Sequence, residues 1–232
     1  KIATQYGKGN FSEIVTETSS DDEIGTLSTA FHNMRTNLLE YIDKEKQDIT
    51  EKQKALSELD IAKKIQLSAL TVDFPEQKEF QTSALMIPAK QIGGDFYDFF
   101  FLSKNRVGIV MADVSGKGIS AALYMMRAKE IIKHTAQHMS SISGVFEQVN
   151  NALCEGNSVC MFASAFFAII NLKTGVMEYV NAGHLPPFLM SGQSCRKITP
   201  KPNFILGVRE GTSYKTEKIK LQPNSSIFFY TD

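Results

Sequence analysis

Residues 22 to about 70 contain no proline and, after Gly25, no glycine. A run of this length without either breaker is expected to form one continuous helix, since glycine costs about 1 kcal/mol and proline about 3 kcal/mol in a helix interior. At about 1.5 Å per residue the helix would span roughly 70 Å, more than twice the diameter of a small domain. Ser19, Ser20 and Asp21 are candidate N-caps, and the acidic Asp22 and Glu23 suit a first turn. Ile24, Leu27, Phe31, Met34, Leu38 and Tyr41 follow the alternating three-and-four spacing of a coiled-coil seam. Holding that register would place Glu45, Asp48 and Lys52 in the seam. Inserting four residues restores Ile42, Ile49, Leu56 and Leu59, a stutter that locally unwinds a supercoil. A lone helix cannot bury so thin a stripe, which points to a parallel homodimer through the coiled coil. The alternative is a long helix packed on its own globular domain.

Val72-Asp73-Phe74-Pro75 ends this pattern, and short apolar, β-branched and aromatic runs follow. They cover Phe80–Ile87, Asp95–Leu102, Arg106–Val114, Ala163–Asn171, Val176–Ala182, Ser213–Leu221 and Ser226–Thr231. Two helical stretches interrupt them, Ile119 to about His138 and Val145 to about Glu155. Val107–Val110 and Ala165–Ile170 are apolar on both parities, so both of their faces should be covered. Strands joined by hairpins, with the helices in one block, give an α+β layered fold with antiparallel sheets.

Lys plus Arg and Asp plus Glu number 25 each, so no global field favours nucleic acid or an anionic membrane. Cys154, Cys160 and Cys195 show no CxxC spacing and read as reduced, buried thiols of a cytoplasmic protein. No apolar run approaches the roughly 18 residues a membrane helix needs. The chain starts at Lys1 in mid-pattern and stops at Asp232 directly after an apolar run. Both ends read as cuts, so a membrane anchor could belong only to segments outside this chain.

The stretch QIGGDFYDFF, residues 91 to 100, carries the chemistry. Partners around a turn centred near Lys104 have residue numbers adding to about 208, which sets Asp95 opposite Asp113 at the open end of a hairpin. Directly opposed cross-strand Cβ atoms lie about 4.5–5.5 Å apart, where like charges destabilise. Two facing carboxylates persist if one is protonated or if a cation lies between them. Gly93-Gly94 lets the backbone approach closely before Asp95. The loop Val114-Ser115-Gly116-Lys117-Gly118 can offer carbonyls and waters, and oxygen-only ligation suits Mg²⁺ or Mn²⁺. The competing reading has both aspartates merely capping strand ends. Asp98, on the opposite parity, reads as a solvated or hydrogen-bonding carboxylate. Asp232 supplies a third strand-end carboxylate, and three converging on one sheet edge could hold two ions.

QIGGDFYDFF, ADVSGKGISAAL, MFASAFF, NAGHLPPFL and FFYTD, in that order, resemble the metal-dependent (PPM, type 2C-like) protein serine/threonine phosphatases. The resemblance is to the bacterial branch of the sporulation-stage-two-E phosphatase and the regulators of stress sigma factors. Gly9-Asn10-Phe11 and Asp22-Glu23-Ile24-Gly25-Thr26-Leu27 resemble the second half of a HAMP signalling module. The resemblance implies an α/β/β/α sandwich with a two-metal centre (Mn²⁺ or Mg²⁺) at one edge, preceded by the long coiled-coil helix. It implies Asp95, Asp113, the Val114 carbonyl and Asp232 as metal ligands, with Asp113 bridging both ions and Asp95 and Asp113 the catalytic pair. Gly93, Gly94, Gly116, Gly118 and His184 become structural neighbours of the site, His184 read as a hydrogen-bonding residue over a direct substrate contact, and Lys117 reads as a charged loop tip or a substrate-phosphate contact. The implied organisation is a HAMP C-terminal half at 1–40, a coiled-coil linker at 41–71 and a phosphatase domain at 72–232. Family members continue past the YTD motif to a further Asp-containing motif, so that domain is expected to be truncated at its C-terminus. The implied substrate is a phosphorylated regulatory protein of the anti-sigma-factor-antagonist type, met on the cytoplasmic side of an inner-membrane-anchored bacterial parent.

Other readings are weaker. A GGDEF-type cyclase needs an acidic residue directly after GGD, where Phe96-Tyr97 stand. A histidine kinase would need an ATP-binding box after His32. Neither a CxxxxxR phosphatase loop nor a GxSxG elbow occurs. His134 and His138 have zinc-compatible helical spacing but no third ligand, and read as a solvated face. The alternative in a different functional class is a catalytically silent signalling scaffold that binds a phosphoprotein.

Overall fold

The computed structural model describes residues 2–12, 22–70, 77–87 and 92–231. The chain divides into two compact units, Lys1–Glu58 and Leu59–Asp232. The first contains α1 (Ile2–Tyr6) and most of α2 (Glu23–Ala69). Here the Tyr6 ring packs 5.4 Å from Phe11 and 6.5 Å from Phe31, and Arg35 Nε donates to the Phe11 carbonyl at 2.8 Å. The Asp22 carboxylate caps α2, Oδ1 accepting from the backbone N–H of Ile24 at 3.0 Å and Gly25 at 3.1 Å. The sequence places the cap at Ser19, Ser20 or Asp21, which lie outside the described residues. Ile24, Leu27, Met34, Tyr41, Ile49 and Leu56 are each at least 50% exposed, so the apolar seam is not covered within one chain.

In the second unit the strands form two antiparallel sheets. β1 (Phe96–Ser103), β2 (Arg106–Val114), β3 (Ala163–Asn171), β4 (Val176–Ala182) and β7 (Glu217–Lys220) lie side by side in that order. β6 (Ser194–Lys197), β5 (Phe188–Ser191) and β8 (Ser225–Phe228) make the smaller sheet. Alternation decides the faces. Phe96, Phe100, Val110, Ala112, Val114, Ala165 and Phe167 pack against α3 (Ile119–His138) and α4 (Ile142–Cys154), where they meet Met125, Ile132, Val145 and Phe146. Phe166, Ala168, Met177 and Tyr179, on the other face, pack on Leu189, Ile227 and Phe229 of the second sheet. A strand covered on both sides has no polar parity, which is why β2 and β3 read as continuous apolar runs.

The structure departs from the sequence-based expectations in several places, and the expected strands Ser213–Leu221 and Ser226–Thr231 shorten to Glu217–Lys220 and Ser225–Phe228. Residues 80–87 are irregular rather than a strand, with Leu85 and Ile87 about four-fifths exposed. Their anchor is Phe80, whose ring lies 5.5 Å from Phe99. α4 starts at Ile142, three residues before the expected Val145, because Ser141 Oγ accepts from Gly144 N at 3.2 Å and caps it. The β5–β6 hairpin was not anticipated: β6 is exposed throughout and has no apolar alternation to reveal it. The cysteines are free as expected, but Cys160 and Cys195 are exposed rather than buried.

Asp98 faces the helices, as its parity requires, and of its two expected roles it takes the hydrogen-bonding one, at 2% exposure. Lys129 Nζ of α3 lies 3.0 Å from Asp98 Oδ2, and Asp98 Oδ1 accepts from Phe99 N at 2.9 Å. This buried pair ties the first strand to the helical layer. Removing one partner of such a pair strands a charge in a low-dielectric interior. Lys129→Met should therefore lower stability by about 3–5 kcal/mol, read from urea unfolding, and a double Asp98→Leu/Lys129→Met replacement should recover most of it. A single-variant loss below about 1 kcal/mol, the level of a surface pair, would show that the pair does not hold this interface.

Candidate functional site

The β1–β2 hairpin pairs Phe96 with Ala112, Tyr97 with Met111 and Asp98 with Val110. Asp95 immediately precedes the Phe96–Ala112 pair on one strand, and Asp113 immediately follows it on the other. Because Ala112 and Val114 pack on the helices, Asp113 belongs to the opposite face, the side of the second sheet. Tyr97 and Met111 have the same parity. Asp95 and Asp113 are both half-buried.

Two loops shape this end of the sheet. Gly94 is buried against β2: a Cβ built there would lie 2.8 Å from the Val114 carbonyl oxygen and 3.3 Å from Val114 Cβ. Glycine is needed because the obstacle is backbone. In the second loop, Gly116 and Gly118 take φ values of 84° and 88°, a region glycine occupies without steric penalty. Gly118 is the N-cap position of α3, and Lys117 is exposed between the two glycines. Ser115 anchors the loop to residue 162: its N–H donates to the Phe162 carbonyl at 2.8 Å, and its Oγ accepts from Phe162 N at 3.0 Å.

The third strand brings a residue that the sequence reading did not single out. Ser164 is the ladder partner of Asp113, and its Oγ is hydrogen-bonded to His184 Nδ1 at 2.9 Å. His184 is 6% exposed. Its backbone is clasped by Asn181, whose Oδ1 accepts from His184 N at 2.7 Å and whose Nδ2 donates to His184 O at 2.9 Å. Asn203 Nδ2 in turn donates to the Asn181 carbonyl at 3.2 Å. The NAGH segment is thus built into the sheet end by side-chain hydrogen bonds.

Asp95, Asp113, the Val114 carbonyl, Ser164 and His184 therefore gather at one end of the large sheet, with Gly93 and Gly94 leading into it. Asp232 lies outside the described residues. Among the described residues, no three His, Cys, Asp or Glu side chains cluster closely enough to hold a metal ion. The Asp95 and Asp113 carboxylates and the Val114 carbonyl offer oxygen donors, which suit a hard divalent ion, and the space that a Gly94 Cβ would fill adjoins the Val114 carbonyl. His134 and His138 stand apart on the exposed side of α3, their rings 4.5 Å apart and His138 Nδ1 2.7 Å from the His134 carbonyl. Gly94→Ala should cost about 1–3 kcal/mol by overpacking against an unyielding carbonyl, seen as a lower melting temperature. A wild-type melting curve for that variant would mean the approach of the two loops is looser than described.

Comparison with known proteins follows this geometry. Residues 103–232 match the family model of Stage II sporulation protein E, and residues 1–40 match the HAMP domain. Protein IcfG of Synechocystis sp. is 26% identical over 94% of this chain and 38% of its own length. Phosphoserine phosphatase RsbU of Bacillus subtilis is 29% identical over 78% of this chain and 54% of its own length. The chain thus spans about half or less of the length of these curated relatives. The SiaA-PP2C domain of Pseudomonas aeruginosa shares the fold, with a TM-score of 0.63 and 20% identity over 76% of this chain and 71% of that one. The family match runs from the end of β1 through β8 and takes in Asp113, Ser164 and His184, so this chain belongs to the stage II sporulation protein E family.

Proposed function

We propose that the chain is the catalytic part of a bacterial signalling protein that hydrolyses phosphoserine and phosphothreonine on a regulatory protein, using two Mn²⁺ or Mg²⁺ ions. The observation that carries this reading is the hairpin register, which brackets the Phe96–Ala112 pair with Asp95 and Asp113 beside the Gly94–Val114 close approach. In the proposed site the Asp95 and Asp113 carboxylates and the Val114 carbonyl would hold the ions, with Asp232 as a further ligand. When bound, such ions supply positive charge to the phosphoryl oxygens and make hydroxide accessible near neutral pH. The chain's own contribution is placement. Sheet hydrogen bonds fix Asp113 on β2, and Gly94 lets Asp95 approach the Val114 carbonyl. Ser164 and His184 brace the neighbouring strand end, and the Lys117 ammonium is free to meet a substrate phosphate from the exposed loop tip.

The substrate class and setting follow from the relatives and the module order. RsbU and RsbP of Bacillus subtilis are named phosphoserine phosphatases, which supports a phosphoserine-bearing substrate; the motif resemblance extends this to a regulator of the anti-sigma-factor-antagonist type. We take residues 1–40 as a HAMP half, 41–71 as a coiled-coil linker and 72–232 as the phosphatase domain. The HAMP match supports a membrane-anchored parent with this part on the cytoplasmic side. No helix among the described residues is long and apolar enough to cross a membrane.

Phosphate release from a phosphoserine-bearing protein should require Mn²⁺ or Mg²⁺ and stop on chelation. Asp113→Asn should reduce it by about 10²–10³-fold, the loss typical of removing one preorganised electrostatic group. Metal-independent turnover, or an unaffected Asp113→Asn variant, would sink the reading, and phosphoprotein binding without turnover by both this chain and one extended past Asp232 would establish the scaffold alternative. The exposed seam of α2 supports a parallel homodimer. Sedimentation equilibrium should return twice the chain mass, and Ile49→Asp with Leu56→Asp should return the monomer. A monomeric wild type would remove the coiled coil from the proposal.

A further inference from the structure

Gln66 lies near the end of α2 and is 4% exposed. Its side-chain amide reaches across to one residue of the Gly-Gly-Asp loop. Nε2 donates to the Gly93 carbonyl at 2.6 Å, and Oε1 accepts from the Gly93 N–H at 3.2 Å. A primary amide thus satisfies both polar groups of one residue, as a neighbouring strand would. Gly93 stands two residues before Asp95 and next to Gly94, whose backbone abuts the Val114 carbonyl. On either side of the contact, Leu70 just past the helix and Ile92 of the loop are buried, and Leu67 of the helix packs partly buried against the same core.

Anchoring the end of α2 does not itself call for a glutamine. Leu67 and Leu70 already dock the helix, and a buried amide is unfavourable unless both its ends are bonded. What the glutamine adds is a restraint on the main chain of a loop that has two consecutive glycines and lacks the stiffness of side chains there. Resting on the proposed reading of Asp95 as a metal carboxylate, we infer that Gln66 is a positioning residue. Its amide splints the peptide groups of Gly93 and so fixes how far Asp95 stands from Asp113 and the Val114 carbonyl. Nothing in this role requires Gln66 to touch substrate or ion.

The test uses the chain as it stands, with Gln66→Leu, which keeps the bulk and loses both hydrogen bonds, and Gln66→Glu, which keeps the shape and acceptor but loses the donor to the Gly93 carbonyl. Mn²⁺ affinity is read by electron paramagnetic resonance of the free ion, and hydrogen exchange by mass spectrometry on the peptide spanning Ile92–Phe96. Both variants should weaken Mn²⁺ about 10–100-fold, as loss of a residue supporting the ligands does, and Gln66→Leu should speed exchange at Gly93 and Gly94. Exchange within α3 and α4 should stay unchanged in whichever variant folds. Affinity within twofold of wild type together with unchanged loop exchange overturns the inference. Asp113→Asn separates the two levels. If it abolishes Mn²⁺ binding while the Gln66 variants bind normally, the splint alone is wrong; if it also binds normally, the metal reading falls and the splint's functional role with it.

Discussion

The β1–β2 register is the constraint on which the rest of the site depends. Side chains alternate with a period of two along a strand, so a one-residue slip would turn every side chain to the opposite face. A slip of β1 would push Phe96 out of the helix-facing core, whereas a slip of β2 would push out Ala112 and Val114 and drive Asp113 into it. The apolar faces of β1 and β2 thereby select the one pairing that brackets Phe96–Ala112 with two aspartates. The carboxylates are placed by the hydrophobic packing of their neighbours rather than by any attraction of their own.

Around this pairing the supporting contacts share a design: a side-chain amide or hydroxyl grips the main chain of a neighbouring loop. Asn181 clasps His184, Asn203 holds Asn181, and Gln66 holds Gly93. Asn157 does the same further along, its Nδ2 donating to the Met161 and Gly207 carbonyls at 2.6 and 3.0 Å and its Oδ1 accepting from Met161 N at 2.9 Å. Loops at a sheet end have main-chain groups without ladder partners, and leaving these unsatisfied is costly. Short amides answer that need locally and stiffen the end of the sheet that carries the proposed chemistry. The Asp98–Lys129 pair works on the other face, fastening the same strand to α3.

What could be read from the sequence followed the span of each interaction. The β1–β2 hairpin closes through Lys104 and Asn105, so its register was open to arithmetic on residue numbers. Ser164 was not, because α3 and α4 intervene between β2 and β3 and no turn fixes that pairing from nearby. The same holds for Gln66, whose partner lies 27 residues away in the chain. The α2 seam was legible because helical periodicity is local. β6 was invisible because no residue of it is buried. Phe80–Ile87 has the composition of a strand, but its only aromatic anchor turns toward Phe99 and Phe101 while its aliphatic side chains stay in solvent. Asp98 had the sequence appearance of any strand aspartate, and its burial depended on a lysine 31 positions later in a helix.

The proposed arrangement also explains why a glycine-rich loop would need a splint. Two carboxylates about 5 Å apart repel by about 3 kcal/mol at an effective dielectric constant near 20. On β2 that push is opposed by ladder hydrogen bonds on both sides of Asp113's strand. The Asp95 side has no such ladder before Phe96, so the strain falls on residues 92–95. Each hydrogen bond is worth about 1 kcal/mol net, so the two from Gln66 offset about two-thirds of the repulsion and leave about 1 kcal/mol of it uncompensated. Loop order and ion binding are then coupled in sign: ions between the carboxylates relieve the repulsion, and a held loop lowers the cost of assembling their ligands. A side chain that alters this balance by 1–2 kcal/mol would shift ion affinity by roughly five- to thirtyfold, without any change in the residues that would hold the ions.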